Sequence, residues 1–513
     1  MPELPHPEAG RARRRWQPSC SLAGLAACAA GVLLQPGAAA ATAAPGPVDA
    51  IIAQALAPSP LPEDLRRLTD EVGGRVTGTP AMAQAVDWAT AALRAAGVEV
   101  HTEAYELPVS WQEESSRLEL SGAVQFPVSL VSVAWAPSTA AGGIEAPLVD
   151  VGDGSEADFA HAAQRVPGAI LLVHSSVIVT WADLADEYAR PPAIIERALA
   201  LKARALLWVG SREHRLLYRH TDAVEGELAR LPMGILARED GLRLARVLAA
   251  HPGKERARLS IANRIGGPVP AFNVVGEIRG RERPEEFVIL GAHLDSWELG
   301  TGALDNGCNA ALVIAAARAI KAAGAAPRRT LRFVLFSGEE QGLLGSLAYV
   351  RQHQAELDRV SAMITYDSGS GRVTGYSLGG REDLEAAVAQ VLAPLWAWDV
   401  NRHTLDASTG TDNLDFLLEG VPNLVANQEE GNYMANYHAA SDTLDKVDMR
   451  ALQLHVAIAA VTAYGIAERD ALLGARQTRP QIEVLMKRTG LDQQMKTLGY
   501  WGAWQAGTRG RRP

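Results

Sequence analysis

The chain has 513 residues, enough for two compact domains, and its 48% apolar content supports ordinary buried cores. A net charge of -10 leaves no broad basic face to neutralise phosphates, which sets nucleic-acid binding aside.

Arg11, Arg13, Arg14 and Arg15 precede an apolar run over about residues 20–34, and an Ala-rich stretch follows to Ala44. Charged, then apolar, then small residues is the order of a secretory signal, and the apolar run is short for a bilayer span. Residues 1–44 are therefore expected to be an export leader, making the mature protein secreted or periplasmic. Lipid attachment at Cys28 and a twin-arginine reading of Arg13-Arg14-Arg15-Trp16 are weaker variants of the same expectation. Cys20 and Cys28 fall in this leader, so Cys308 stands alone in the mature chain and no intramolecular disulfide is expected. At the start of an apolar helix, Cys308 reads as a small buried residue rather than a nucleophile. No later stretch reads as a membrane span.

Residues 61–97 carry apolar positions at helical spacing, interrupted by the loop 73–80, whose Pro80 is suited to open the second helix. Residues 98–107 alternate as a strand. From about Phe126 to Arg264 short apolar runs alternate with Gly/Pro turns, which predicts a small strand-rich domain inserted into the larger one. From Phe272 the order becomes strand, helix, strand, helix. The runs 287–290, 331–336 and 362–366 are continuously apolar, as strands buried on both faces are. The expected fold is α/β, a mainly parallel sheet sandwiched by helices. The first part of the main domain spans 45–125, the insertion 126–264, and the larger part 265–470. The extension 471–513 is basic and reads as either an ordered arm or a frayed tail.

In such sheets chemistry gathers beyond the carboxyl ends of the strands. His293 and Asp295 follow one strand, Glu339 and Glu340 another, and Asp367 a third; Asp305 opens the next helix, and His438 sits in a late loop. Singly, each is more simply a cap or a solvated loop residue. Their conjunction points to a metal site. Imidazole mixed with carboxylate suits zinc, and a carboxylate has two oxygens with which to bridge two ions. His293, Asp305 and Asp367 can hold one zinc ion, and Asp305, Glu340 and His438 a second. Paired ions would polarise a scissile carbonyl and acidify water. Glu339 then remains free as the general base, and Asp295 is placed to orient the His293 imidazole.

The motifs Gly291-Ala292-His293-Leu294-Asp295-Ser296-Trp297, Gly302-Ala303-Leu304-Asp305-Asn306-Gly307 and Ser337-Gly338-Glu339-Glu340-Gln341-Gly342 closely resemble those of the co-catalytic zinc aminopeptidase and glutamate carboxypeptidase family. The loop 70–79 and the run from His438 to Asp448 fit as well. The likeness covers about residues 61–467. It implies hydrolysis of short unblocked peptides, two zinc ions per chain, a protease-associated domain for the insertion, and a homodimer. It also supports the ligand and base roles above. Asn306 stands where a close member has a second Asp, a change the family tolerates. The segment 401–412 matches poorly apart from Gly410-Thr411-Asp412, so Thr411 and Asp412 either reach the site or cap a helix. Within an exopeptidase reading, aminopeptidase and dipeptidase or carboxypeptidase activity stay open. So do two other functions: an acyl-transfer enzyme like glutaminyl cyclase, commonly with one zinc, and a metal-free binding ectodomain.

Overall fold

This computed structural model describes residues 46–222 and 225–512, so the expected leader lies outside the described residues. In chain order the strands are β1 (Glu99–Leu107), β2 (Ser110–Ser121), β3 (Leu130–Ser132), β4 (Ile144–Asp150), β5 (Ile170–Val173), β6 (Ala205–Val209) and β7 (Met233–Leu236). There follow β8 (Arg256–Gly266), β9 (Val269–Ile278), β10 (Arg283–His293), β11 (Arg329–Phe336), β12 (Val360–Thr365), β13 (Val373–Ser377) and β14 (Asn423–Gln428).

They form two seven-stranded sheets. The first has the order β1-β9-β11-β10-β12-β14-β13. Its central strands β11, β10, β12 and β14 run parallel, whereas β1, β9 and β13 pair antiparallel at the margins. The sheet is thus mainly parallel, as expected, with antiparallel pairing at its margins. Apolar continuity reports burial of both faces and carries no information on direction, so the antiparallel margins left no mark on the pattern. Burial itself is as expected. Val288 and Leu290 of β10 pack on one face with the helices Pro80–Ala95, Cys308–Ala322 and Met449–Glu468. Phe287 and Ile289 face the opposite way, onto Tyr349 and Phe416.

Helix ends follow local chemistry. Thr79 accepts the N–H of Met82 ahead of Pro80, and Asp448 accepts those of Arg450 and Ala451 to start Met449–Glu468. That last helix is long and apolar enough to cross a membrane by length and composition, a property the sequence pattern had not suggested. It is mostly buried against the sheet and the helix Cys308–Ala322, as a core helix is. Cys308 is buried at that helix's first position, as expected.

The second sheet, β2-β8-β4-β5-β6-β7-β3, is built wholly from the chain between β1 and β9. Leu107 pairs with Val269 at the end of the first sheet, and Ser110 pairs with Gly266 at the start of the second, so the chain leaves and returns side by side. Its first strand lies ahead of Phe126, where the texture first changes, because β2 is polar on one side and carries few apolar residues. Both sheets belong to one compact unit. The extension after Arg476 is an ordered arm. Ile482, Leu485, Met486 and Trp504 pack on Leu343, Leu414 and Leu418, and the buried Arg509 grips both oxygens of Asp415 at 2.8 and 2.9 Å.

Candidate metal centre

β10 lies between β11 and β12, parallel to both, so all three carboxyl ends open on one edge of the sheet. That edge receives His293 from β10, Glu339 and Glu340 just past β11, and Asp367 just past β12. Asp305 enters from the turn before Cys308–Ala322, and His438 from the loop ahead of Met449–Glu468. All six are brought together, and His293, Asp305, Glu340 and His438 are nearly closed to solvent.

Asp305 stands between the two imidazoles. Its Oδ1 is 3.2 Å from His293 Nε2, and its Oδ2 is 3.2 Å from His438 Nε2. His293 Nε2 is also 3.0 Å from Asp367, and His438 Nε2 is 3.0 Å from Glu340. Two trios therefore gather their donor atoms at coordination range, His293/Asp305/Asp367 and Asp305/Glu340/His438, with Asp305 common to both. Asp305 Oδ2, Glu340 Oε1 and His438 Nδ1 are buried without an aligned hydrogen bond. Unbonded buried carboxylate oxygens are costly, and a cation held between them removes that cost. The donors present thus fit two divalent ions.

The electrostatics agree. Burial pushes Glu340 up to about 7 and Glu339 well above the carboxylate range. Burial pulls the imidazoles down, but Asp367 and Glu339 hold His293 well above its ordinary value, and Glu340 with Asp305 raise His438 to about 9. Glu339 differs from its neighbour in place. Its side chain is 13% exposed against 2% for Glu340, and its Oε2 is 4.0 Å from His293 Nε2. It belongs to neither trio.

Asp295 orients His293 through its main chain. The ring Nδ1 donates to the main-chain carbonyl of Asp295 at 3.0 Å, while the carboxylate lies 3.7 Å away. The carboxylate instead accepts the backbone N–H groups of Glu339 and Glu340, each at 3.3 Å. Side-chain type and spacing pointed to the residue but could not tell its carbonyl from its carboxylate.

Three supports were not singled out from the sequence. Asp442 accepts the N–H groups of Leu304 and Asp305. The fully buried Arg75 donates to the carbonyls of Leu294, Thr301 and Gly302, and so fixes the loops on either side of the site. Gly302 has φ +59°, and a Cβ there would lie 2.3 Å from Ser296, so no side chain fits. The inserted layer supplies the third support. Arg219 N–H donates to the His438 carbonyl, Ala440 N–H donates to Leu217, and Arg212 donates to the Tyr437 carbonyl. These bonds hold His438 at φ +58°, with its ring stacked on Tyr437 at 3.7 Å. Asp412 is buried with both oxygens unbonded and gives no cap to the helix Asn413–Leu418, and burial pushes it well above its ordinary range.

Residues 273–463 match the model of peptidase family M28, and that span contains every residue of both trios. The chain resembles the co-catalytic metallopeptidases of this family over that span. It is a metallo-exopeptidase. Mouse carboxypeptidase Q is 28% identical over 416 residues, covering 80% of this chain and 86% of its own. The solved structure of a peptidase M28 precursor from Shewanella amazonensis superposes with TM-score 0.75 at 26% identity, covering 84% of this chain and 98% of that one. The zinc aminopeptidase of Bacillus subtilis shares the fold, with TM-score 0.64 at 20% identity over 82% of this chain and 97% of that one. The peptidase therefore shares its α/β architecture with these relatives.

Proposed function

We propose that this peptidase binds two zinc ions and hydrolyses short unblocked peptides at their ends. The observation that carries this reading is Asp305, with one oxygen towards His293 and the other towards His438. In this reading His293, Asp305 and Asp367 hold one ion, and Asp305, Glu340 and His438 hold the other. Bound there, the ions supply Lewis-acid polarisation of a peptide carbonyl and a more acidic water.

Glu339 then takes up the proton of the attacking water and delivers it to the leaving amine. Its place suits that work, since it lies in neither trio, is partly open, and is anchored through its own N–H by Asp295. Asp295 thereby sets the distance between base and ligand, because the same carboxylate holds the N–H of Glu340. We further propose that the inserted layer is a protease-associated domain that roofs the site and limits substrate length. Supporting this, Trp181 and Tyr188 of that layer reach Tyr433 and Tyr437 beside His438. Export by residues 1–44 is part of the same proposal. Single-metal acyl transfer is disfavoured by the complete second trio, and a metal-free ectodomain has no use for either.

The test is to strip the purified protein of metal, return zinc stepwise, and assay free dipeptides, aminoacyl amides, amino-blocked peptides and a folded protein. Activity on the free dipeptides should saturate near two zinc per chain, with the blocked peptides and the folded protein spared. Saturation at one zinc, or efficient digestion of the folded protein, would sink this reading.

A further inference from the structure

Away from the metal centre, the inserted layer encloses a small cavity, about 30 Å³ to the centres of water-sized molecules. The helix Trp181–Ala189, β6 and the loop after it form its walls, which include Asp183, Asp186, Glu187, Trp208, His220 and Asp222. Three buried polar atoms on these walls lack partners. Asp222 has a 3% exposed side chain and an unbonded Oδ2; His220 Nε2 lies 3.3 Å from the other Asp222 oxygen without bond alignment; and Trp208 Nε1 is unbonded. Glu187, by contrast, is committed to Ser211 at 2.6 Å and Arg212 at 3.3 Å. Despite burial, which acts the other way, Arg212 keeps its pKa low.

The chemistry of the ligand follows by exclusion. Four carboxylates and the single arginine Arg190 line the space, and Arg190 already donates to the carbonyls of Asp153 and His174, so an anion finds no free cationic partner. Among the described residues the only trios at metal-binding range are those of the centre already described, so a coordinated metal ion is not favoured. An ammonium group fits. It offers donors to the free Asp222 oxygen, carries the charge the walls lack, and can rest against the Trp208 ring. The cavity is also separate from the centre: His220 packs on Tyr188 at 4.5 Å, and the Tyr188 hydroxyl meets that of Tyr437 at 2.7 Å, closing the way towards His438.

We propose that this cavity is a second binding site, distinct from the metal centre, for the ammonium group of a small organic cation such as a basic amino acid. Titration calorimetry on the whole metal-stripped chain compares L-lysine with L-norleucine, which lacks the side-chain ammonium. Lysine should bind at least ~10-fold more tightly, the usual worth of a charge-assisted hydrogen bond. The isosteric Asp222→Asn should abolish that preference and leave norleucine unaffected. Equal binding of the two amino acids would mean that the side-chain ammonium finds no site in the cavity, and a preference that survives Asp222→Asn would place it elsewhere; either overturns the proposal. If Asp222→Asn does not fold, the unaltered chain decides. Nuclear Overhauser contacts between the lysine ε-methylene and the Trp208 indole support the site, and their absence refutes it. No part of this readout depends on zinc or turnover, so its failure is separable from failure of the proposed peptidase mechanism.

Discussion

The carboxylate of Asp442 receives the backbone N–H of Asp305 at 3.1 Å, while its other oxygen takes the N–H of Leu304 at 2.6 Å. Asp442 thus holds the turn that presents the shared carboxylate, although it belongs to neither trio. Its side chain is buried, and burial pushes it up to about 7 even though both N–H groups act to lower it. Asp442→Asn would keep one acceptor and turn an amide donor towards the second N–H. Because Asp305 serves both trios, both ions should be held less tightly, by the ~10–100-fold typical of losing a residue that orients a ligand. Zinc per chain after extensive dialysis measures this, and a full complement would show that the turn holds without Asp442.

His438→Ala separates the trios. The variant loses its only imidazole on one side, whereas His293, Asp305 and Asp367 are untouched. One ion should survive dialysis and the other should leave, with partial retention by Glu340 and Asp305 at high free zinc. Two tightly held ions in this variant would take His438 out of the metal centre.

Most residues of this centre were legible because they follow strand ends or open a helix, with His438 in a late loop, and the motif around each is short and local. Its supports were not. The partners of Asp442 and Arg75 lie far along the chain, and they are backbone groups, which carry no side-chain signature. The same limit explains the sheet: residues 287–290 and 331–336 announce burial through their apolar runs, while the direction of β9 beside β11 is fixed by pairing alone. In β2 the polar outer face hid a strand of the second layer. The extension resisted reading because Ile482, Leu485 and Trp504 are apolar positions set among basic ones, and only their contact with Leu414 and Leu418 shows that they form an ordered arm.

A second electrostatic cluster lies away from the metal centre and sets a pH dependence of stability. His353 bonds Glu103 at 2.9 Å and Glu356 at 3.0 Å. Burial pulls the ring down, but these two carboxylates raise it above its ordinary value. Burial likewise pushes Glu103 up, yet His101 and His353 bring it down to about 2. A raised histidine stabilises fully below its unfolded value of about 6.5, and the contribution is lost as pH rises through the folded value. His353→Gln should therefore cost roughly 1–2 kcal/mol at about pH 5.5, with much of the difference gone well above the folded value. Urea midpoints of both proteins across that range provide the measurement. A penalty constant with pH would mean that the ring acts by packing on Tyr349 rather than by charge.

Glu339→Gln addresses the chemistry most directly. Glutamine keeps the length and hydrogen-bonding capacity of the side chain but cannot take up a proton. The anchoring bond from the residue's own N–H to Asp295 involves the backbone and survives the change. With Glu339 as general base, turnover should fall by ~10²–10⁴-fold, the usual contribution of a positioned acid–base group. Zinc content and thermal midpoint should hardly move, since the side chain is in neither trio. Glu340→Gln supplies the contrast. That side chain is nearly closed to solvent and 3.0 Å from His438 Nε2, so its loss should lower zinc content and activity together. Measuring turnover and zinc per chain on both variants separates base from ligand although the two residues are adjacent. A fully metallated Glu339→Gln protein with near-normal turnover would end the assignment of Glu339, and equal zinc loss in both variants would mean that the two carboxylates share one role.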